Sequence, residues 1–383
     1  MSMEVLREKI DRIDRELLGL FQERMDVAGE IGAYKRAHGL PVLDRKRERE
    51  KLNEIGGLVA SEKEPYARIL YDLLFELSRS YQRSQDEAHS PLYGSIQNAV
   101  QNTPPLFPPA ATVACQGVEG AYSQMASQRL FKRPNVLYFT SFESVFSAIE
   151  AGLCEYGMLP LENSTAGSVT KIYDLMQERK FHIVRSVRLK VEHSLLVPRG
   201  VKREEIREVY SHEQAISQCA GFLEALGPHV KVTRVENTAA AAQAVAESGR
   251  QDVAAISSHS CMELYGLDCL QRSIQDRDNN YTRFICISRK LEIYPGADRT
   301  SIMLVLPHRP GSLYKVLSWF YALGINLNKL ESRPLPGRDF EFMFYFDLET
   351  SIYSEEFLQL VDDLQELCEE FTYLGSAGGP LMA

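Results

Sequence analysis

The chain has 383 residues, 44% hydrophobic and 25% charged side chains, and a formal charge of −9. That acidity excludes bulk attraction to nucleic acid or to an anionic membrane, so any anionic ligand must be held by local clusters of Arg and Lys. Length predicts two to four domains at roughly 100–200 residues each, and no apolar run reaches the ~20 residues that span a bilayer.

Seven cysteines (Cys115, Cys154, Cys219, Cys261, Cys269, Cys286 and Cys368) are odd in number and form no CxxC pair. They predict reduced thiols in a cytoplasmic protein, with neither a disulfide framework nor a metal site. The opening MSMEVLREKIDRID is charged from residue 4 and lacks the apolar core of a signal peptide. No cofactor is expected.

Residues 1–85 read as helical, with breakers at Pro41 and Pro65. Leu6, Ile10, Ile13, Leu17, Leu20, Val27 and Ile31 recur in steps of three and four, which predicts a heptad seam. Arg24 falls on that seam, where a charge is costly unless it is paired or binds an anion. Lys35 follows close to three turns later, at about 3.6 residues per turn, and shares its face. Arg7 lies roughly 25 Å away at ~1.5 Å per residue and points elsewhere. One helix cannot bring Arg7 and Arg24 to one small ligand; a partner chain can.

In LDRKRERE, Asp44 is placed to N-cap a second helix, with Arg47 and Glu48 just after it. On a third helix Leu70 and Leu74 are succeeded at the same spacing by Ser78 and Gln82. An apolar stripe that turns polar suits the lining of a wet pocket between helices.

The stretch 86–110 is polar and then proline-rich, and reads as a linker. From 111 to 290, strands (TVACQG, NVLYF, EYGMLPLE, REVYS, VKVTRV, DVAAIS, TRFICIS) alternate with helical stretches, predicting an α/β domain. Three strand-to-helix turns, NSTAGSV, YSHEQAISQC and ENTAAAAQAV, offer hydroxyls and helix amides suited to carboxylates. His193 and His212 read as hydrogen-bonded structural residues, since nothing near either supplies a partner carboxylate. Residues 296–383 read β-α-β-β-α-β.

The segment LREKIDRIDRELLGLFQERMDVAGEIGAYK, with PVLDRKRERE and the third helix, resembles the all-helical chorismate mutase family, an intertwined dimer of three-helix chains. The resemblance implies that Arg7 is lent to the other subunit's site, and that Arg24, Lys35, Asp44, Arg47, Glu48, Ser78 and Gln82 line the chain's own. Rearranging chorismate needs no nucleophile; it needs a dicarboxylate held compactly while charge develops on an ether oxygen. Guanidinium groups suit the carboxylates. Lys35 and Gln82 would donate to the ether oxygen, and Glu48 would accept from the substrate hydroxyl.

GVEGAYS, PLENSTAGSV, EHSLLV, YSHEQAISQC and NNYTRF together resemble the prephenate dehydratases, whose two lobes are like a periplasmic binding protein. The first motif departs from the commoner GPxGTYS. The resemblance implies Thr282 as the catalytic hydroxyl, either donating a proton or positioning a water. It also implies Arg283 as a carboxylate guide, and Asn163, Ser164, Ser211 and Gln218 as the polar cleft.

HRPGSLYKVL and NLNKLESRP resemble the ferredoxin-like ACT regulatory domain of dehydratases. Gly311, Ser312, Leu313, Glu331, Ser332, Arg333 and Pro334 match its phenylalanine site, with Ser312 and Asn328 standing where Ala and Thr are usual. The implied whole is a homodimer or tetramer that turns chorismate into prephenate and then phenylpyruvate, inhibited by L-phenylalanine. A dehydratase with a purely dimerising helical segment, or a non-catalytic amino-acid sensor, is the alternative. Prephenate and arogenate are both open as the dehydratase substrate.

Overall fold

A computed structural model describes residues 2–85, 89–335, 337–338, 341–379 and 381–382. The chain divides into two units, Met1–Pro91 and Leu92–Ala383.

The first unit is helical: α1 (Met3–Ala37), α2 (Arg45–Leu58) and α3 (Glu64–Ser84). Ser2 caps α1 by accepting from Val5 N, Asp44 caps α2 by accepting from Arg47 N, and Pro65 sits in the first turn of α3, where a missing N–H costs nothing. Within the chain, α1 packs on α3 through small residues. Ala28 and Gly32 are buried one turn apart, and a Cβ on Gly32 would meet Gln82 Cγ at 2.9 Å. The predicted leucine seam is not this contact: Leu17 is 53% exposed, Leu20 64% and Val27 48%.

The second unit opens with α4 (Pro91–Asn102). This helix replaces part of the expected linker 86–110, of which 86–88 lie outside the described residues. Its Ile96 and Ala99 are buried in one core with Val316, Phe320, Phe346 and Phe357, far along the chain. The apolar side chains at 96 and 99, one turn apart, give the segment a face to bury.

Strands β1 (Ala110–Gln116), β2 (Arg133–Phe139), β3 (Tyr156–Asn163), β4 (Gly167–Ser168) and β5 (His182–Lys190) build a first sheet, with α5 (Tyr122–Leu130), α6 (Phe142–Glu150) and α7 (Thr170–Glu178) between them. The chain then crosses to a second sheet: β6 (Ser194–Val197), β7 (Glu208–Ser211), β8 (Lys231–Arg234), β9 (Val253–Ser257) and β10 (Asp268–Gln271), in the order β10-β6-β9-β7-β8. Its helices are α8 (Glu213–Gln218), α9 (Ala220–Leu226), α10 (Thr238–Glu247) and α11 (Ser260–Tyr265).

Strand β11 (Tyr281–Ser288) returns to the first sheet and inserts between β5 and β3, antiparallel to both. The two crossings are stitched together. Val191 N donates to Asn280 O at 2.8 Å, and Ile274 N to His193 O at 3.0 Å. Two chain crossings between two sheets form a hinge with a cleft beside it.

A third, antiparallel sheet follows: β12 (Arg299–Val305), α12 (Ser312–Ala322), β13 (Asn326–Pro334), β14 (Phe342–Glu349), α13 (Glu355–Leu367) and β15 (Glu370–Ala377), ordered β13-β14-β12-β15. A last short strand, β16 (Leu381–Met382), pairs with β5 at the edge of the first sheet. Strand β15 runs against β5 so closely that a Cβ on Gly375 would collide with Ile183 O.

Candidate active sites

In the helical unit, Arg24 Nη1 donates to Ser78 Oγ at 2.5 Å and to Leu74 O at 3.2 Å, and its guanidinium lies 5.9 Å from the Phe75 ring centre. Among the described residues no carboxylate pairs with it. Burial draws it below its ordinary pKa, against the pull of Tyr71. A half-desolvated cation lacking a counter-ion is what an anionic ligand requires.

One turn beyond Ser78, Gln82 is 6% exposed and its Oε1 has no partner among the described residues. Arg36 donates to the Gln82 carbonyl at 3.0 Å, and Lys35 Nζ to Val42 O at 2.6 Å. Glu48 is ion-paired with Arg79. Asp44 is spent on capping α2, while the Arg7 and Arg47 side chains are exposed. The structure thus joins Arg24 to Ser78 and leaves Arg7 apart. Sequence reasoning missed Arg36 and Arg79, whose partners are set by helix packing and by no local motif.

In the second unit a cleft of about 520 Å³ opens between the first two sheets. All three predicted turns reach it, through Asn163 and Ser168, His212 and Gln218, and Asn237. So do the starts of α5 and α7, neither of which has a side-chain cap, leaving amides free for a carboxylate. Lys171, ion-paired with Glu143 at 2.8 Å, also lines it from the first turn of α7.

Thr282 faces this cleft from β11, paired in register with Asn163 on β3. Asn163 Nδ2 donates to Thr282 Oγ1 at 2.9 Å and to Asn280 Oδ1 at 2.8 Å. Gln218 Nε2 donates to Thr165 Oγ1 at 2.9 Å, bridging the two lobes. Ser164 Oγ donates to Asn279 O at 2.8 Å, tying its turn to a crossing. His193 and His212 line the cleft; burial holds both imidazoles below their ordinary pKa, so both are neutral near pH 7.

Three expected cleft residues, Ser164, Ser211 and Arg283, are not part of its lining. Ser211 is fully buried and donates to Ile256 O at 2.7 Å, because it sits at the end of a central strand. Arg283 follows Thr282 on a strand, so it points to the opposite face. There it pairs with Asp347 on β14 and lies 3.5 Å from Glu162. Its charge is thus met by carboxylates away from the cleft lining.

At the third sheet, Gly311 starts α12 with φ 84°, a conformation that favours glycine. Glu331 accepts from Ser168 at 2.7 Å and Arg333 grips both Asp174 oxygens at 3.1 Å. Both therefore turn toward the first lobe, leaving Ser332 and Pro334 exposed. Ser312 and Leu313 open α12 beside Gly311.

A helical module bearing an unpaired cation, followed by a two-lobed cleft with an oriented threonine, is the architecture of a mutase joined to a dehydratase. Residues 6–83 match the chorismate mutase type II family and residues 113–292 the prephenate dehydratase family. The chain belongs to the family of bifunctional chorismate mutase/prephenate dehydratases. The bifunctional enzyme of Escherichia coli strain K12 is 31% identical over 97% of this chain and 94% of its own. An Arabidopsis thaliana arogenate dehydratase/prephenate dehydratase is 39% identical over 69% of this chain and 71% of that protein. A solved Arthrobacter aurescens prephenate dehydratase, in complex with L-Phe, aligns with TM-score 0.64 and 26% identity, covering 70% of this chain and 90% of that one.

Among the described residues, no helix is long and apolar enough to cross a membrane, and no cluster of His, Cys, Asp and Glu could hold a metal. All seven cysteines are free.

Proposed function

We propose residue roles for the two reactions of this phenylalanine-pathway enzyme. In the mutase half, Arg24 and the exposed Arg47 grip the chorismate carboxylates. Lys35 and Gln82 donate to the breaking ether bond, Glu48 accepts from the ring hydroxyl, and Asp44 and Ser78 hold their neighbours in place. The uncompensated charge of Arg24 supports this reading. Arg7, remote along α1, serves the site of a second copy, and the exposed leucine seam supports a dimer. A tetramer needs a further contact through the second unit.

In the dehydratase half, one observation carries the assignment: Asn163 donates to Thr282 Oγ1. The threonine oxygen is thereby an acceptor toward the protein, and its own proton is free for the cleft. As the ring carboxylate leaves as carbon dioxide, its electron pair aromatises the ring and expels the hydroxyl. Thr282 protonates that hydroxyl or orients the water that does. Gln218 closes the lobes over the substrate, Ser164 fixes the turn, and Lys171 with the bare amides of α5 and α7 replaces Arg283 as the carboxylate grip.

The third sheet, with its β-α-β-β-α-β order, is assigned as a ferredoxin-like ACT domain. It senses L-phenylalanine between the start of α12 (Gly311, Ser312, Leu313) and strand β13 (Glu331, Ser332, Arg333, Pro334). The domains are 1–85 for the mutase, 111–290 for the dehydratase and 296–383 for the sensor, with α4 packed as an outlier of the sensor core. Free thiols support a cytoplasmic setting.

The test is turnover of chorismate and of prephenate by the purified chain, each with and without L-phenylalanine, and of arogenate in place of prephenate. Thr282→Ala should abolish dehydration and leave rearrangement intact. Retained dehydration would refute the role given to Thr282, and turnover of neither substrate by the native chain would favour a non-catalytic sensor.

A further inference from the structure

The dehydratase cleft contains a directed chain of amides whose starting point is fixed by backbone. Asn163 Oδ1 accepts from Thr165 N at 3.0 Å and from Ala166 N at 2.8 Å. Backbone N–H groups can only donate, so the side-chain oxygen of Asn163 must face them. Its Nδ2 therefore faces Thr282 Oγ1 and Asn280 Oδ1. With its oxygen so engaged, Asn280 presents Nδ2 to Gln218 Oε1 at 2.8 Å. Gln218 then turns its own Nε2 to Thr165 Oγ1.

The far end of this chain is His193. Its Nε2 lies 2.8 Å from Gln218 Oε1, an oxygen that can only accept. The imidazole must then carry its proton on Nε2. The ring is 2% exposed, burial keeps it neutral against the pull of Gln218, and its Nδ1 has no partner among the described residues. A neutral ring has one N–H, and here it is committed to Gln218.

The placement is as informative as the bonding. His193 lies on one crossing of the hinge and Asn280 on the other, and both crossings are pinned locally. His193 N donates to Gln275 Oε1 at 3.0 Å, and Asp276 N to Gln218 O at 2.8 Å. Gln218 belongs to the second lobe, whereas Asn163 and Thr282 belong to the first. Without the imidazole donor, Gln218 Oε1 keeps only Asn280, and its amide is free to rotate away from Thr165.

We propose that His193 is a positioning residue for dehydration: its Nε2–H fixes Gln218 across the hinge, and the amide chain passes that order to the proton of Thr282. The inference rests on the assignment of Thr282 as the reacting hydroxyl. His193 touches no substrate. It acts through Gln218, Asn280 and Asn163.

The test compares His193→Phe, which removes the donor, with His193→Gln, which returns an N–H at similar reach, both in the full chain with prephenate. His193→Phe should lower kcat by about 10- to 100-fold with KM changed less than about threefold, and His193→Gln should recover most of kcat, as expected for one buried hydrogen bond that orders a reacting group. Native kcat in His193→Phe overturns the proposal, as does a folded His193→Gln no better than His193→Phe. Should His193→Phe fail to fold, nitrogen-15 NMR of labelled native protein decides: an Nε2–H tautomer is required, and Nδ1–H overturns it. Dehydration surviving Thr282→Ala would instead strike at the assignment beneath.

Discussion

Lys329 Nζ donates to Glu162 Oε2 and to Ser168 Oγ, each at 2.8 Å, so one cation of the third sheet holds both flanks of the turn that begins at Asn163. Glu331, two residues on and on the same face of β13, accepts from Ser168. Burial opposes ionisation of Glu162, but Lys329 and, behind it, Arg283 together outweigh it and hold the carboxyl below its usual range. Any shift of β13 on binding an effector is felt at the cleft. Lys329→Met should raise the L-phenylalanine concentration for half-inhibition about tenfold or more, the equivalent of one charge-assisted contact. Uninhibited dehydration should change far less, and chorismate turnover not at all. Inhibition curves for both activities in one preparation check this.

Arg283 is the companion link, and its removal should be costly. Asp347 is fully buried, accepts from Ser301 Oγ at 3.0 Å, and takes its charge partner from Arg283. Arg283→Met leaves that carboxylate without a counter-ion, at about 3–5 kcal/mol of stability. The double variant Arg283→Met/Asp347→Asn should recover part of the loss. Urea unfolding of the three proteins measures both terms.

In the helical unit, Arg24→Ala should cut chorismate turnover by about 10²–10³-fold, the usual cost of one preorganised charge-stabilising donor. Ser78→Ala, which removes only the hydrogen-bond partner of Arg24, should cost less. Dehydration of supplied prephenate should be unaffected by either. Steady-state kinetics on each substrate separates the outcomes.

Acid stability should depend on Glu208. Hydrogen bonds from Lys231, Thr233 and Arg250 draw its carboxyl down to about 2. A carboxyl depressed in the folded state stabilises above its unfolded pKa of roughly 4.3, and that contribution is lost as pH falls toward the folded value. Glu208→Gln should be less stable than the native chain at pH 6 and converge with it toward pH 2. Melting temperatures across that interval test the sign.

Much of the fold is legible in the residues, where periodicity is local. The helices of the first unit carry their caps at Ser2 and Asp44, and β3, β9 and β11 are apolar runs bounded by turn residues. Strand β5 is harder to see, because HIVRSVRLK interleaves charges with its buried positions. Helix α4 hides in a polar, proline-flanked stretch whose two buried residues find their partners some 200 residues away, a contact that no local pattern can announce.

The sites divide in the same way. Asn163, Gln218 and Thr282 stand in motifs that the fold brings together. Arg283 stands in the same motif as Thr282, yet strand alternation sends it to the other face, and the direction of that alternation is set by the register with β3. Arg24 could be singled out as a charge on an apolar seam. That α1 meets α3 through Ala28 and Gly32 could not, since small residues carry little periodic signal.

The central position of β11 has a consequence for synthesis. The first sheet needs it between β5 and β3, but the whole second lobe is translated first, through residues 191–280. As the chain emerges, that lobe can close on itself while the first lobe still lacks its middle strand and shows two unpaired edges. The first lobe is thus the later of the two to mature and the one most in need of protection while nascent. The hinge forms only when β11 docks, so the cleft and the middle of the first sheet arrive in the same event, with only the edge strand β16 still to come.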